Sequence, residues 1–190
     1  MALTPIPNIT IGQEYDQRYA DAAVHYDALR PMADFFGRNM PVHHHDRFFQ
    51  VHYINSGMVR VYLDNRQYHQ QGPMFFLTPP GIPHSFTTEE GSDGHVLTVR
   101  QQLVWSLLDE CPDLGSIGQI TPVCVATGHV SSEARHEVAR IERLFDELGA
   151  EFAAERKGRD VALTTLTRLL FISLFRLSAN SLKAQHARHD

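Results

Sequence analysis

Three histidines and one amide are the groups in this sequence best placed to do chemistry. His43, His45 and Gln50 lie between Gly37 and Gly57 in the spacing G-x5-H-x-H-x4-Q-x6-G, and a second run from Gly72 to His84 brings one more imidazole just after a Pro-Gly turn. Side chains alternate across a strand, so His43 and His45 share a face. Gln50 is an odd step further on and joins them only if the chain turns near Asp46 and Arg47. His84, arriving on a later strand, completes a four-group set. Neutral imidazoles converging in this way can hold zinc, iron, nickel or copper. Gln50 is then a weak fourth ligand, because an amide carbonyl adds no negative charge to offset a divalent ion.

The same residues also suit recognition of an organic ligand. If Gln50 points inward, alternation turns Phe48, His52 and Ile54 inward too, giving an aromatic wall beside hydrogen-bonding groups. That combination fits a hydroxylated aromatic acid. Its carboxylate requires a cationic or multi-donor partner, which Arg38, Arg47, His95 or a protonated histidine can provide. Arg38, just before the first histidines, is the preferred anchor. His44 faces away from its two neighbours. No nucleophile and base are paired: the serines near His84, and Thr98 near His95, lack an elbow or a glycine-rich oxyanion turn.

These groups must be positioned by short strands. Residues 21–100 consist of short apolar runs punctuated by Arg30-Pro31, Gly57, Asp64-Asn65, Gly72-Pro73, Pro79-Pro80-Gly81 and Gly91 to Gly94, the spacing of an antiparallel barrel or sandwich. Val59, Val61 and Leu63 alternate with Arg60 and Tyr62. The barrel is expected to end near Arg100. Beyond it the apolar period lengthens: Ser131 or Ser132 caps a helix in which Ala134, Val138, Ile141, Phe145, Leu148 and Phe152 form a narrow seam. Gly158 to Asp160 breaks the chain before a second helix that is apolar on more than one face. Residues 101–182 are therefore expected to be helical, with the helix pair used for dimerisation. Residues 1–20 form a polar arm and 183–190 the start of a linker.

The paired histidine motifs are those of the cupin barrel, which sets the expected fold class as mainly β: an antiparallel cupin-type barrel followed by a helical hairpin. A longer stretch is more specific. Residues 35–53, with 75–80 and 94–100, closely resemble AraC/XylS-family transcriptional activators, a likeness that covers nearly the whole chain as that family's N-terminal effector-binding and dimerisation region. The resemblance implies a homodimeric sensor that is not an enzyme and requires no cofactor. It also implies an effector such as 4-hydroxyphenylacetate or a near relative, for instance a hydroxybenzoate. DNA is then read only through a C-terminal helix-turn-helix domain that this chain lacks. An N-terminal arm folds over the effector in a sugar-responding relative, a role open here to Ile9, Ile11 and Tyr15. Metal-dependent cupins usually carry glutamate where Gln50 stands. The rival from another class is a metal-dependent cupin enzyme, a dioxygenase or isomerase, using His43, His45, Gln50 and His84.

Composition bounds these readings. The chain has 190 residues, 43% of them hydrophobic, enough for one domain with a real core. A formal charge of −5 and only two lysines, Lys157 and Lys183, argue against a phosphate-gripping face. Cys111 and Cys124 form no C-x-x-C pair, consistent with a reduced setting. The N-terminus lacks the pattern of a signal peptide, and Arg168 and Arg176 interrupt the longest apolar run. A cytoplasmic protein with no membrane contact is the expectation.

Overall fold

Residues 6–9 and 22–186 are described by the structure, a computed structural model. The elements run β1 (Val24–Ala28), α1 (Leu29–Phe35), β2 (Asn39–His43), β3 (Phe48–Ser56), β4 (Met58–Leu63), β5 (Arg66–Gln71), β6 (Met74–Thr78), β7 (His84–Thr88), β8 (Asp93–Arg100), α2 (Gln101–Glu110), β9 (Val123–Ala126), α3 (Ser132–Ala153) and α4 (Arg159–His186). The strands form two antiparallel sheets, β1-β8-β3-β6-β9 and β2-β7-β4-β5. Together they make a mainly β, cupin-like fold to which the helices are appended.

Cross-strand register explains how the interior is filled. Residues opposite one another in an antiparallel pair share a face. In the first sheet, Gln50 is paired with Thr78 and Thr98, His52 with Phe76 and Val96, and Ile54 with Met74 and Gly94. In the second, His84 is paired with His43 and Leu63, and Phe86 with Met40 and Val61. Ile54, Met74, Phe76, Phe86, Val61 and Val96 belong to one buried cluster between the sheets. The barrel thus has an apolar body with a polar layer of histidines, threonines and one glutamine.

The alternate residues of the first sheet, among them Phe49, Val51, Tyr53, Leu77 and Leu97, join a second cluster with α2, α3 and α4. This is why β3 is buried without a break from Phe49 to Ile54: both of its faces are covered. Space requires glycine at several positions, Gly94 and Gly57 among them. A Cβ on Gly94 would fall on the Tyr53 carbonyl oxygen, and one on Gly57, whose φ is +94°, would fall on Ser92.

Three expectations change here. The sheet does not end near Arg100, because β9 leaves the helical region and pairs with β6. The α3 seam, read as part of a dimerising helix pair, finds its partners inside this one chain: Ile141, Phe145 and Leu148 are buried where α3 packs on α4 and β1. Ser131 does cap that helix, its Oγ accepting from the Ala134 N–H at 3.3 Å. Finally, Arg159–Ala179 of α4, with a mean hydropathy of 1.5, is long and apolar enough to cross a membrane despite Arg168 and Arg176. Its Leu163, Leu170, Phe171, Leu174 and Leu177 are buried against α2, α3 and the sheet, as in a core helix.

Candidate functional site

His43 ends β2, His84 begins β7 directly opposite it, and His45 follows in the bend that leads to β3. All three are buried, and their ligand atoms lie within 4.8 Å of one another. Ring centroids are 4.2 Å apart for His43 and His84, 5.0 Å for His43 and His45, and 5.2 Å for His45 and His84. The bend at Asp46 and Arg47 gives Gln50 the step it needed, and its Oε1 lies 3.2 Å from His84 Nε2. Its amide nitrogen donates to Thr98 Oγ1 at 3.1 Å. The four-group set expected from spacing is brought together.

Each ring is oriented by a backbone carbonyl. His43 Nδ1 lies 2.7 Å from the Pro41 oxygen, His84 Nδ1 lies 3.0 Å from that of Ile82, and His45 Nδ1 lies 2.6 Å from that of Ile9. A carbonyl only accepts, so in the neutral rings Nδ1 carries the proton and Nε2 the lone pair. His45 Nε2 is buried with no hydrogen-bonding partner among the described residues. This donor set fits a divalent ion: three oriented imidazoles and an amide oxygen, with the outer-face hydrogen bonds that metal-binding histidines normally make.

One layer further in, His52 stacks on Phe76 at 4.2 Å and meets Phe86 edge-on at 4.7 Å. It is 0% exposed, and neither ring nitrogen has a partner among the described residues; the same holds for Thr78 Oγ1, in the Gln50 layer. Burial holds the protonated forms down. Desolvation lowers His45 to about 4, against a smaller opposing push from the Ile9 carbonyl. Desolvation, reinforced by the neighbouring histidines, puts His52 and His84 well below the ordinary histidine range.

Other expected residues lie elsewhere. His95 points to the outer face, because Val96 and not His95 pairs with His52; it stacks on Phe145 of α3 at 5.1 Å and its Nδ1 is 2.7 Å from the Tyr26 hydroxyl. Arg38 Nη2 is bound to Asp34 Oδ1 at 2.8 Å on the surface, four residues away, so the preferred carboxylate anchor is engaged outside the barrel. A protonated histidine is equally disfavoured as that anchor, since burial opposes charge on His45, His52 and His84. Phe48 is half-buried at the first position of β3, and the rings that contact His52 are Phe76 and Phe86. Thr78, Thr98, Phe76 and Phe86 were missed. Strand alternation hints at each one, but their place beside Gln50 and His52 depends on which strands pair.

The arm reaches this site. His44 and Asn8 form a parallel bridge, with Ile9 N–H donating to the His44 oxygen at 2.9 Å and His44 N–H to that of Pro7 at 3.0 Å. The Asn8 side chain donates to Asp46 Oδ2 at 2.7 Å and accepts from the Asp46 N–H at 3.2 Å. Ile11 and Tyr15 lie outside the described residues. On another side, a cleft of about 450 Å³ opens between the free edges of β5 and β9, lined by Leu63, Arg66, Tyr68, Cys124 and Ser178 among others. Leu63 is the cross-strand neighbour of His84, so the cleft approaches the polar layer.

Comparisons with known proteins cover from a third of the chain to most of it. KdgF from Halomonas sp. is 22% identical over 33% of this chain and 59% of its own, with a TM-score of 0.32. A cupin protein from Bacteroides fragilis is 14% identical over 53% of this chain and 82% of its own, with a TM-score of 0.33. Apo ToxT from Vibrio cholerae is 9% identical over 85% of this chain and 57% of its own, with a TM-score of 0.49. No curated protein matches the chain in sequence. Residues 26–171 match the AraC-like ligand binding domain, and the chain belongs to that family.

Proposed function

We propose that this ligand-sensing domain responds to a small hydroxylated aromatic acid, 4-hydroxyphenylacetate or a near relative, bound at the polar layer of the barrel. The observation that carries the reading is the set of buried polar atoms without partners, His45 Nε2, both nitrogens of His52 and Thr78 Oγ1, beside the rings of Phe76 and Phe86. Such atoms cost about 1–3 kcal/mol each until a ligand or ordered water satisfies them. A phenol supplies a ring for the aromatic wall and a hydroxyl that both donates and accepts. The edge cleft offers an approach, with Arg66 among its lining residues.

In this reading the protein is a cytoplasmic regulator of catabolic genes, and DNA is contacted by a separate domain, in keeping with the net charge of −5. The α3 seam is buried in one chain, so the homodimer implied by the resemblance needs another face. The enzyme alternative draws on the same histidines and predicts turnover of an oxygenated substrate by the metal-loaded protein. Calorimetry with two acids tests the sensor reading: phenylacetate, lacking the hydroxyl, should bind more weakly than 4-hydroxyphenylacetate by about 1–3 kcal/mol. Equal affinities, or no binding of either, would overturn it.

A further inference from the structure

We infer that Arg66, at the free edge of β5, is the carboxylate anchor of the effector: it holds the acid end in the cleft between β5 and β9 and so aims the phenolic end at the polar layer inside the barrel. The inference rests on the sensor reading. It adds the residue that fixes the direction and the length of the ligand.

Register places the arginine. Residues opposite one another in an antiparallel pair share a face, so His43, His84, Leu63 and Arg66 make one row across the whole of the second sheet. The two histidines of that row are buried inside the barrel, and Arg66 at its far end is turned the same way. In the next row Tyr68 is paired with Val61, and Val61 with Phe86; in the first sheet Cys124 is paired with Phe76, and Phe76 with His52. Arg66, Tyr68 and Cys124, the edge members of these rows, line the cleft of about 450 Å³ together with Leu63. Behind Leu63 lies His84, and behind Cys124 lies the ring that stacks on His52. Among the described residues no ladder joins β5 to β9, so a ligand entering between these edges has no backbone bonds to break.

Chemistry selects which end of the ligand stays in the cleft. A carboxylate is best held by a guanidinium, and the other arginines of the barrel are committed or face away. Arg100 donates through Nε to the Ala22 carbonyl at 3.2 Å, and Arg60 alternates outward from Val59 and Val61. Arg38 is paired with Asp34, and Arg47 is exposed in the bend before β3. Arg66 has no ion pair among the described residues. Asp64, the one acid of the lining, sits in the β4–β5 turn with its N–H held by the Pro83 carbonyl, and it is not paired with Arg66. The hydroxyls of Tyr68, Thr121 and Ser178 supply further donors to the cleft. From Arg66 to His84 is two strand spacings, about 9–10 Å. A ring substituted at opposite ends bridges that gap, with its carboxylate on the arginine and its hydroxyl among the unpartnered atoms of His52 and Thr78. The 2-hydroxy isomer carries both polar groups on one side of the ring and satisfies only one end.

The test is calorimetry on the full chain with 4-hydroxyphenylacetate and with 4-hydroxyphenylacetamide, which keeps the shape and lacks the charge. Arg66→Gln should weaken binding of the acid by about 10-fold or more, the loss of one charge-assisted contact, and leave the amide unchanged. Arg66→Lys should restore part of the affinity for the acid. Arg60→Gln removes the same charge from the outer face of the neighbouring strand and should change neither affinity. In the wild type, 2-hydroxyphenylacetate should bind more weakly than the 4-hydroxy isomer, and Arg66→Gln should narrow that difference. Arg66 is exposed, so its variants are expected to fold, which circular dichroism checks. Unchanged affinity for the acid in Arg66→Gln, an equal loss for acid and amide, or the same loss in Arg60→Gln would overturn the anchor and leave the sensor reading in place. A wild type that binds neither compound would remove the sensor reading and this inference with it.

Discussion

Acidification should unfold this domain early, and the histidines should be the reason. His45, His52 and His84 are buried in the neutral form, with folded values lowered by desolvation, that of His45 to about 4. The unfolded chain binds their protons near 6.5, so between these values it holds more protons than the native state. Stability is therefore present above about pH 6.5 and is lost as pH falls toward 4. Integrating the linkage relation from pH 7 to pH 5 gives about 2 kcal/mol for His45, and His52 and His84 act in the same direction. A typical domain has about 5–15 kcal/mol in total. Urea titrations at half-unit steps, in the presence of a chelator, measure this loss. His52→Leu isolates the histidine share from that of the carboxylates, because His52 has no hydrogen bond to lose and Leu suits its apolar surroundings. The variant should retain more of its neutral-pH stability at pH 5 than the wild type retains. Parallel curves for the two proteins would refute the placement of His52 as a buried neutral base.

Three further outcomes follow from the packing and the site. Leu148→Asp should unfold the helical region and not merely yield folded monomers, since it replaces a fully buried leucine inside one chain at a cost of about 5 kcal/mol or more; circular dichroism with sedimentation separates the two cases. Gly94→Ala should destabilise by at least about 2 kcal/mol, because the added Cβ meets the Tyr53 carbonyl of β3, which a rotamer change cannot move; thermal melts read it directly. Gln50→Glu should tighten zinc binding by about 10-fold or more and lower stability without zinc, as a buried carboxylate needs the ion's charge; unchanged zinc affinity would remove Gln50 from the ligand set.

The histidine cluster was legible because its spacing is local: His43, His45 and Gln50 are fixed by one strand end and one bend. Turn residues likewise marked the strands, and Ser131 marked the start of α3. What spacing could not supply was pairing between distant strands. The inward face of β8 depends on its register with β3, which places Thr98 beside Gln50 and sends His95 outward to Phe145. The strand β9 was hidden because Val123–Ala126 is too short to show a period and is adopted by the free edge of β6. The α3 seam was legible as apolar, but a stripe of leucine and phenylalanine does not say whether its partner is another helix of the same chain or a second copy. Arg38 was drawn outward by Asp34, one helical turn earlier, an ion pair that nearness to the motif did not reveal.

The central claim is that an aromatic acid is sensed inside the barrel, and the ring nitrogens of His52 report on it most directly. Long-range 1H–15N spectra of the histidine side chains, recorded with and without 4-hydroxyphenylacetate, should show His52 shifting as one of its unpartnered nitrogens gains a hydrogen bond, with Gln50 and Thr78 signals moving in step. Binding of the acid with His52 unmoved would place the sensing site elsewhere and contradict the account.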